Sequence, residues 1–180
     1  MKVVSIVGMA GAGKTKVARI FEKHGFKRIR FGDITDEEII KRGLTCNEEN
    51  ERLVREMIRQ EQGMDAYAQL NLPRIDEARQ NYDVVIDGLY SWEEYILLKE
   101  HYGPDFYLVA VWSSPKTRYD RLTSRRERRL TLAEAASRDR TEIENVHKAG
   151  PITMANFTII NESSLQELKK QTKQILAGLK

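Results

Sequence analysis

The sequence predicts an α/β protein in which a five-stranded parallel sheet is wrapped by helices in three layers. Three observations carry that prediction. Five short apolar runs alternate with stretches of helical spacing, as parallel strands joined by crossover helices do. The β-branched runs VVSIV, DVVID and FTII are nearly continuous, which marks strands covered on both faces. The first strand passes into the first helix through GMAGAGKT, a glycine-rich turn.

Taken in order, the first strand is Val3–Val7. The helix after the glycine turn places Val17, Ile20 and Phe21 on one face, with His24 in its last turn and Gly25 to stop it. The second strand is Phe26–Phe31. Thr45 with Glu48 reads as a capping box ahead of Leu53, Val54, Met57 and Ile58. The third strand, Tyr82–Asp87, is followed by a helix start at Ser91 with Glu94. Phe106–Trp112 is the fourth strand, and Ser114–Pro115 opens the helix behind it. Thr131 with Glu134 starts another helix, Phe157–Ile160 is the fifth strand, and Ser164 with Glu167 starts the last helix. Roughly fifty residues separate strands two and three and roughly forty separate strands four and five, more than one crossover helix needs. Both excursions read as helical insertions in a single domain, 1–180, with no repeats and no linker.

Bulk properties narrow the class. With 180 residues the chain can bury a core; its apolar content of 41% and charged content of 32% are those of an ordinary globular protein. A net charge of +3 is too small to argue for nucleic acid. The single Cys46 excludes an internal disulfide and a cysteine zinc cluster. The chain enters a strand directly after Met1–Lys2, unlike a signal peptide, and no apolar stretch approaches the roughly 20 residues of a membrane span. A cytoplasmic protein is expected, with no membrane and no nucleic-acid partner.

Gly8, Gly13, Lys14 and Thr15 satisfy the spacing G-x-x-x-x-G-K-[ST]. In such a loop the backbone N–H groups turn inward around phosphate, the glycines allow the angles and the close approach, and the following helix adds its positive end. Lys14 would supply a point charge to the β/γ-phosphates and Thr15 a hydroxyl to Mg²⁺. A glycine turn with a chance Lys-Thr is the bland alternative; the strand before and the helix after argue against it. The expectation is a nucleoside-triphosphate site.

Asp87 ends the third strand ahead of Gly88, at the carboxyl edge where ligands bind in open α/β sheets. There it can organise Mg²⁺, and a turn or capping role is the alternative. Asp33, after the second strand, has the same placement and either orients an acceptor or a metal-bound water, or only makes a turn beside Gly32. Arg118, Arg121, Arg125, Arg126, Arg128 and Arg129, with Arg138 and Arg140 beyond, crowd the second insertion. Some arginines in such a run form a solvated face; a closing lid, at approximately 124–140, would use others to stabilise charge during phosphoryl transfer.

GMAGAGKT, FGD before a helical insertion, IDGLYSWEE, VWSSPKTRYDRL and SRDRTEIENVHKAGPITMANFTIINESSLQEL, in this order, resemble the nucleoside monophosphate kinase superfamily. More closely, the chain resembles a small adenylate-kinase-related group that shares pieces with dephospho-CoA kinase. The resemblance covers essentially the whole chain and implies a P-loop fold with an acceptor-binding insertion at approximately 33–72 and the lid insertion. It assigns Gly8, Gly11, Ala12, Gly13, Lys14 and Thr15 to ATP phosphates, and Thr15 and Asp87 to Mg²⁺. It further assigns Arg121 and Arg125 to the ATP base and phosphates, Arg138 to the transferred phosphoryl group, and the loop from Asn161 to Ser163 to adenine. Lys14, Asp87, Arg125 and Arg138 are thus the implied catalytic set. Two positions depart from the pattern. The arginines that grip an acceptor phosphate correspond to Asp36 and Tyr90, so an acid and a phenol stand where cations are usual. Arg30, Arg42, Arg52 and Arg55 are the nearby candidates to substitute, and the usual paired aspartates after the lid arginines are missing.

The function expected is transfer of the γ-phosphate of ATP-Mg to a nucleotide-type acceptor, first a nucleoside monophosphate. A hydroxyl-acceptor kinase of the dephospho-CoA kinase type and a non-kinase P-loop ATPase or switch are the alternatives. Other residues carry bland expectations. Cys46 is a free thiol, while His24, His101 and His147 have no paired carboxylate pattern. Trp112 and Tyr107 are read as core, and Trp92 as helix packing beside the cleft.

Overall fold

The computed structural model describes residues 1–126 and 128–179. Its strands are β1 (Val3–Val7), β2 (Lys27–Arg30), β3 (Val84–Asp87), β4 (Phe106–Trp112) and β5 (Phe157–Ile160). All are parallel, in the order β2-β3-β1-β4-β5. The helices are α1 (Lys14–Lys23), α2 (Asp33–Lys41), α3 (Glu48–Gln62), α4 (Ala66–Arg79), α5 (Trp92–Tyr102), α6 (Pro115–Thr123), α7 (Leu132–Glu144), α8 (Ala149–Thr153) and α9 (Leu165–Gly178). Three helices, α2 to α4, fill the first insertion, and α6 to α8 fill the second.

Alternation along β1 sorts the core into two layers. Val4 and Ile6 face α1 and α9, meeting Val17, Phe21, Leu168 and Ile175. Val3 and Val7 face the other side, where Ile39, Val54, Ile58, Tyr67, Ile75 and Leu98 come from α2 to α5. Burial of both faces explains the unbroken apolar runs of β1 and β3, whereas FTII differs from the expectation: β5 lies at the sheet edge and buries only Ile159 fully. A small third cluster of Ala10, Leu122, Leu130 and Ala135 fastens the α6–α7 region against the glycine loop.

The start signals at Ser91, Ser114, Thr131 and Ser164 are all helix caps, and Ser91–Glu94 and Thr131–Glu134 form reciprocal capping boxes. Three details differ from the sequence reading. Asn47, not Thr45, caps α3, because its side chain accepts the Asn50 N–H at 2.8 Å. The second and third strands are shorter than their apolar runs. Phe26 and Phe31 pack into opposite core layers beyond the ends of β2, and Tyr82 is exposed before β3. Trp112 is 47% exposed at the end of β4 rather than core. Among the described residues, no helix is long and apolar enough to cross a membrane.

Candidate active site

The turn from β1 into α1 requires glycine where the chain crowds its neighbours. Gly8 has φ +151° and a Cβ there would run into the Val111 carbonyl oxygen. Gly13 has φ +108°, and its Cβ would strike the Asn161 side-chain amide, which donates to the Ala12 carbonyl at 2.7 Å. Only a residue without Cβ fits either position. Lys14 folds over the same turn: its Nζ donates to the carbonyls of Gly8 at 2.7 Å and Met9 at 3.1 Å. Burial, reinforced by the nearby charge of Lys148, lowers the Lys14 ammonium to a pKa of about 7.

β3 lies beside β1 in a register that sets Asp87 opposite Ile6, at the mouth of the loop. Asp87 is 4% exposed and held from two sides. Thr15 Oγ1 donates to its Oδ1 at 3.2 Å, while Arg28 donates to its Oδ2 from Nε at 3.1 Å and Nη2 at 2.7 Å. Thr15 and Asp87 thus converge as a hydroxyl and a carboxylate, the hard oxygen donors that suit Mg²⁺. Arg28 was not anticipated; within KRIR, nothing separates it from a solvent-facing basic residue.

On the other flank, Arg121 joins three segments. It donates to Ser113 Oγ at 3.0 Å and to the Asn161 carbonyl at 2.8 Å, with a longer 3.4 Å contact to the Gly11 carbonyl. Gly11, Ala12, Arg121 and Asn161 are therefore brought together around the loop. Arg118, counted in the sequence among possible lid arginines, is structural. It is buried and paired through both Nη atoms with Asp139, at 2.7 and 2.6 Å, and it also donates to the carbonyls of Ala10 and Ser113. Arg125 lies exposed just beyond α6.

Beyond the loop, between α2–α3 and α7, lies a cleft of about 590 Å³. An alternating row of charge runs along it. Arg30 pairs with Asp36 (2.6 Å), Asp36 and Glu51 with Arg128 (3.3 and 3.1 Å), and Glu51 and Glu48 with Arg55 (3.3 and 2.8 Å). Glu48 then pairs with Arg138 (2.9 Å), Arg138 with Glu142 (3.3 Å), and Glu142 with Lys148 (2.9 Å). Seven basic and seven acidic side chains line the cleft among the described residues. Arg59 differs from the other six cations: no carboxylate among the described residues pairs with it, its Nε is buried without a partner, and its guanidinium lies 5.2 Å from the Tyr67 ring centroid.

Of the sequence candidates, Asp36, Tyr90 and Arg138 line this cleft. Asp33 does not: it begins α2, half exposed, and pairs with Arg30 at 2.7 Å. Arg30, Arg52 and Arg55 also line it, whereas Arg42 pairs with Glu38 away from it. The Tyr90 hydroxyl occupies the space beside Gly32, Gly88 and the Arg30 guanidinium, and burial raises its pKa. Lys148 escaped the sequence reading altogether. It is 1% exposed, and its Nζ stands 5.2 Å from the Tyr90 ring centroid. Burial pushes the Glu142 carboxyl upward, but Lys148, Arg138 and Lys14 together hold it well below the usual carboxylate range. A lone lysine in a turn between two helices has no periodicity to mark it as buried.

Sheet order, glycine loop and helical insertions define a P-loop protein of kinase-like fold, and such a fold implies nucleotide binding. The chain belongs to the AAA_18 family, an AAA domain that it matches over residues 4–145, and to the UPF0200 proteins. The UPF0200 protein of Thermococcus sibiricus is 31% identical over 181 residues, spanning 98% of this chain and 95% of that one. Among solved structures, shikimate kinase from Bacteroides thetaiotaomicron aligns with a TM-score of 0.64 at 15% identity, over 99% of this chain and 98% of that one. A gluconokinase from Sinorhizobium meliloti aligns with a TM-score of 0.59 at 15% identity, over 99% and 91%.

Proposed function

We propose that the protein is an ATP-dependent phosphotransferase that passes the γ-phosphoryl group of ATP to a small nucleotide-type acceptor, first a nucleoside monophosphate. The observation that carries this reading is a shared border. Lys14 feels the charges of Lys148, Glu142 and Arg138, three residues of the cleft wall, so the donor loop and a second ligand-sized space adjoin. Direct in-line transfer needs that adjacency, and catalysis would consist of positioning and charge neutralisation.

In this reading Gly8 to Thr15 wrap the donor phosphates, and Lys14 leaves its loop carbonyls for them. Thr15 and Asp87 would hold Mg²⁺, which when bound neutralises phosphate charge. Arg28 keeps the Asp87 carboxylate oriented. Arg121 and Asn161 border the nucleoside, Arg138 reaches the transferred group, and the insertion of approximately 33–72 receives the acceptor. The lid role is proposed for approximately 124–140, with Arg125 turning in on closure; Glu127 falls outside the described residues.

A hydroxyl acceptor is the second reading, favoured by one feature: Arg30, the cation nearest the departed arginine positions, is already neutralised by Asp33 and Asp36. The shikimate kinase and gluconokinase likenesses point the same way. A coupled assay of ADP release from ATP-Mg²⁺ separates the readings, run against nucleoside monophosphates, nucleosides, dephospho-CoA, shikimate and gluconate. Stimulation by a monophosphate supports the first reading, and stimulation by a hydroxyl compound alone replaces it with the second. ADP release indifferent to every acceptor overturns both in favour of an ATPase or switch.

A further inference from the structure

The two cations missing from positions 36 and 90 in the sequence are present in space. Arg30 reaches Asp36, and Lys148, from the far end of the second insertion, stands over the ring of Tyr90. The two replacements are not equivalent. Arg30 is shared between two aspartates, whereas Lys148 pairs, among the described residues, with Glu142, which also holds Arg138.

Several cations crowd Lys148, with the buried carboxylates Glu142 and Glu94 as their acidic neighbours. Lys14 and Arg138 bear on it electrostatically, as does Arg59, whose Nε is buried and unpartnered. Burying a lysine is costly unless charge and hydrogen bonds around it are met, and here repulsion among neighbouring cations adds to the cost. The backbone is bent to hold it there. His147 adopts a left-handed φ of +50°, and Lys148 N–H donates back to the Glu142 carbonyl at 3.0 Å. Such conformations in a residue with a side chain cost about 1 kcal/mol and gather at functional positions. Lys148 nevertheless forms part of the cleft wall.

We propose that the inner end of the cleft is a second anion site, built on Lys148 and completed by Arg59 and Arg138, that takes a phosphate dianion carried by the acceptor. This deepens the proposed function and rests on it for the word acceptor; the anion site itself is independent of turnover. A phosphate there would satisfy the Arg59 Nε, draw Lys148 partly from Glu142, and lie over Tyr90 beside the donor loop. Charge-assisted bonds from the buried Lys148 and the half-buried Arg59 and Arg138 favour a compact dianion over a neutral hydroxyl compound.

The test uses the full chain saturated with Mg²⁺ and a non-hydrolysable ATP analogue, so that the glycine loop is filled. Inorganic phosphate is then added and its binding followed by ³¹P line broadening. Binding is expected to persist, and Lys148→Met and Arg59→Met are each expected to weaken it about tenfold or more, with Lys148→Arg close to wild type. Lys148→Met leaves Glu142 still paired with Arg138, and Arg59→Met breaks no ion pair seen among the described residues, so at least one variant should fold. Phosphate binding that the analogue abolishes, that neither Met variant alters, or that is absent overturns the proposal. Lys148-dependent binding without phosphorylation of any acceptor leaves the anion site standing and removes the kinase reading. Acceptor-dependent ADP release, with the KM for the acceptor untouched by Lys148→Met, does the reverse.

Discussion

Arg28 and Thr15 hold Asp87 by its two different carboxylate oxygens. One oxygen is committed to an arginine across the sheet edge, while the other meets a hydroxyl at the start of α1. A carboxylate fixed in this way is oriented before any cation arrives. Asp87→Asn should keep the fold and lower nucleotide turnover about 100-fold, the scale of metal-site substitutions. ADP release measured across a Mg²⁺ titration checks this; an unchanged Mg²⁺ requirement would remove the metal-organising role.

On the proposed assignment, Lys14 would link nucleotide binding to protons. Its ammonium is lowered to about 7 in the free protein, so above that pH it is largely neutral. A bound triphosphate favours the charged form, so binding near pH 8 should take up a proton, and affinity should fall as pH rises above about 7. Calorimetric titration in buffers of different ionisation enthalpy reads the uptake directly. Lys14→Ala should abolish both the uptake and turnover, and a wild-type signal from that variant would sink the assignment.

The Arg118–Asp139 pair is predicted to matter for stability. Both side chains are largely buried and joined by two short bonds, and Arg118 also ties α6 to the carbonyls of Ala10 and Ser113. Asp139→Asn leaves the guanidinium short of its counter-charge and should destabilise the protein by about 3 to 5 kcal/mol. Urea unfolding measures the loss. A change within experimental scatter would show that the pair is dispensable.

Glu94 gives stability a pH dependence. It is fully buried, and burial lifts its carboxyl to about 7 against the opposing pull of Arg59 and the backbone amides of Tyr90 and Ser91. Its folded pKa lies above the unfolded one, so the folded state binds more protons between the two values. The stability it contributes is complete below about pH 4 and is lost as pH rises through 7, by about 3 kcal/mol at most. Glu94→Gln should flatten that slope and raise the unfolding midpoint at pH 8 relative to wild type. Thermal melts of both proteins at pH 5 and pH 8 compare them.

The parts legible in the sequence were those governed by local rules. VVSIV, FYLVAVW and FTII gave their strands residue for residue, and the caps at Ser91 and Thr131 followed from spacing. GMAGAGKT was legible as a phosphate-loop sequence because a phosphate-wrapping turn needs particular residues in consecutive positions. Asn47 was missed because two capping residues compete within three positions, and tertiary packing chooses between them. Arg28, Arg59 and Lys148 were missed for a deeper reason. Each acquires its role from a partner on another element: Asp87, Tyr67 and Glu142 or Tyr90. A pattern read along the chain cannot distinguish such cations from solvated ones. The same limit left open which of Arg30, Arg42, Arg52 and Arg55 would stand near positions 36 and 90; the fold brings Arg30 to Asp36 and Lys148 to Tyr90.

The alternating charge row has a kinetic meaning. Among the described residues, seven basic and seven acidic side chains line the cleft and offset one another, so beyond about 8 Å in physiological salt it projects little net field into solution. On the proposed reading an anionic acceptor would therefore not be drawn in from afar, and discrimination would come only after contact, when carboxylates such as Glu48 and Glu142 give up arginine and lysine to it. Ionic strength should leave the rate of encounter nearly unchanged and act instead on how long the ligand stays.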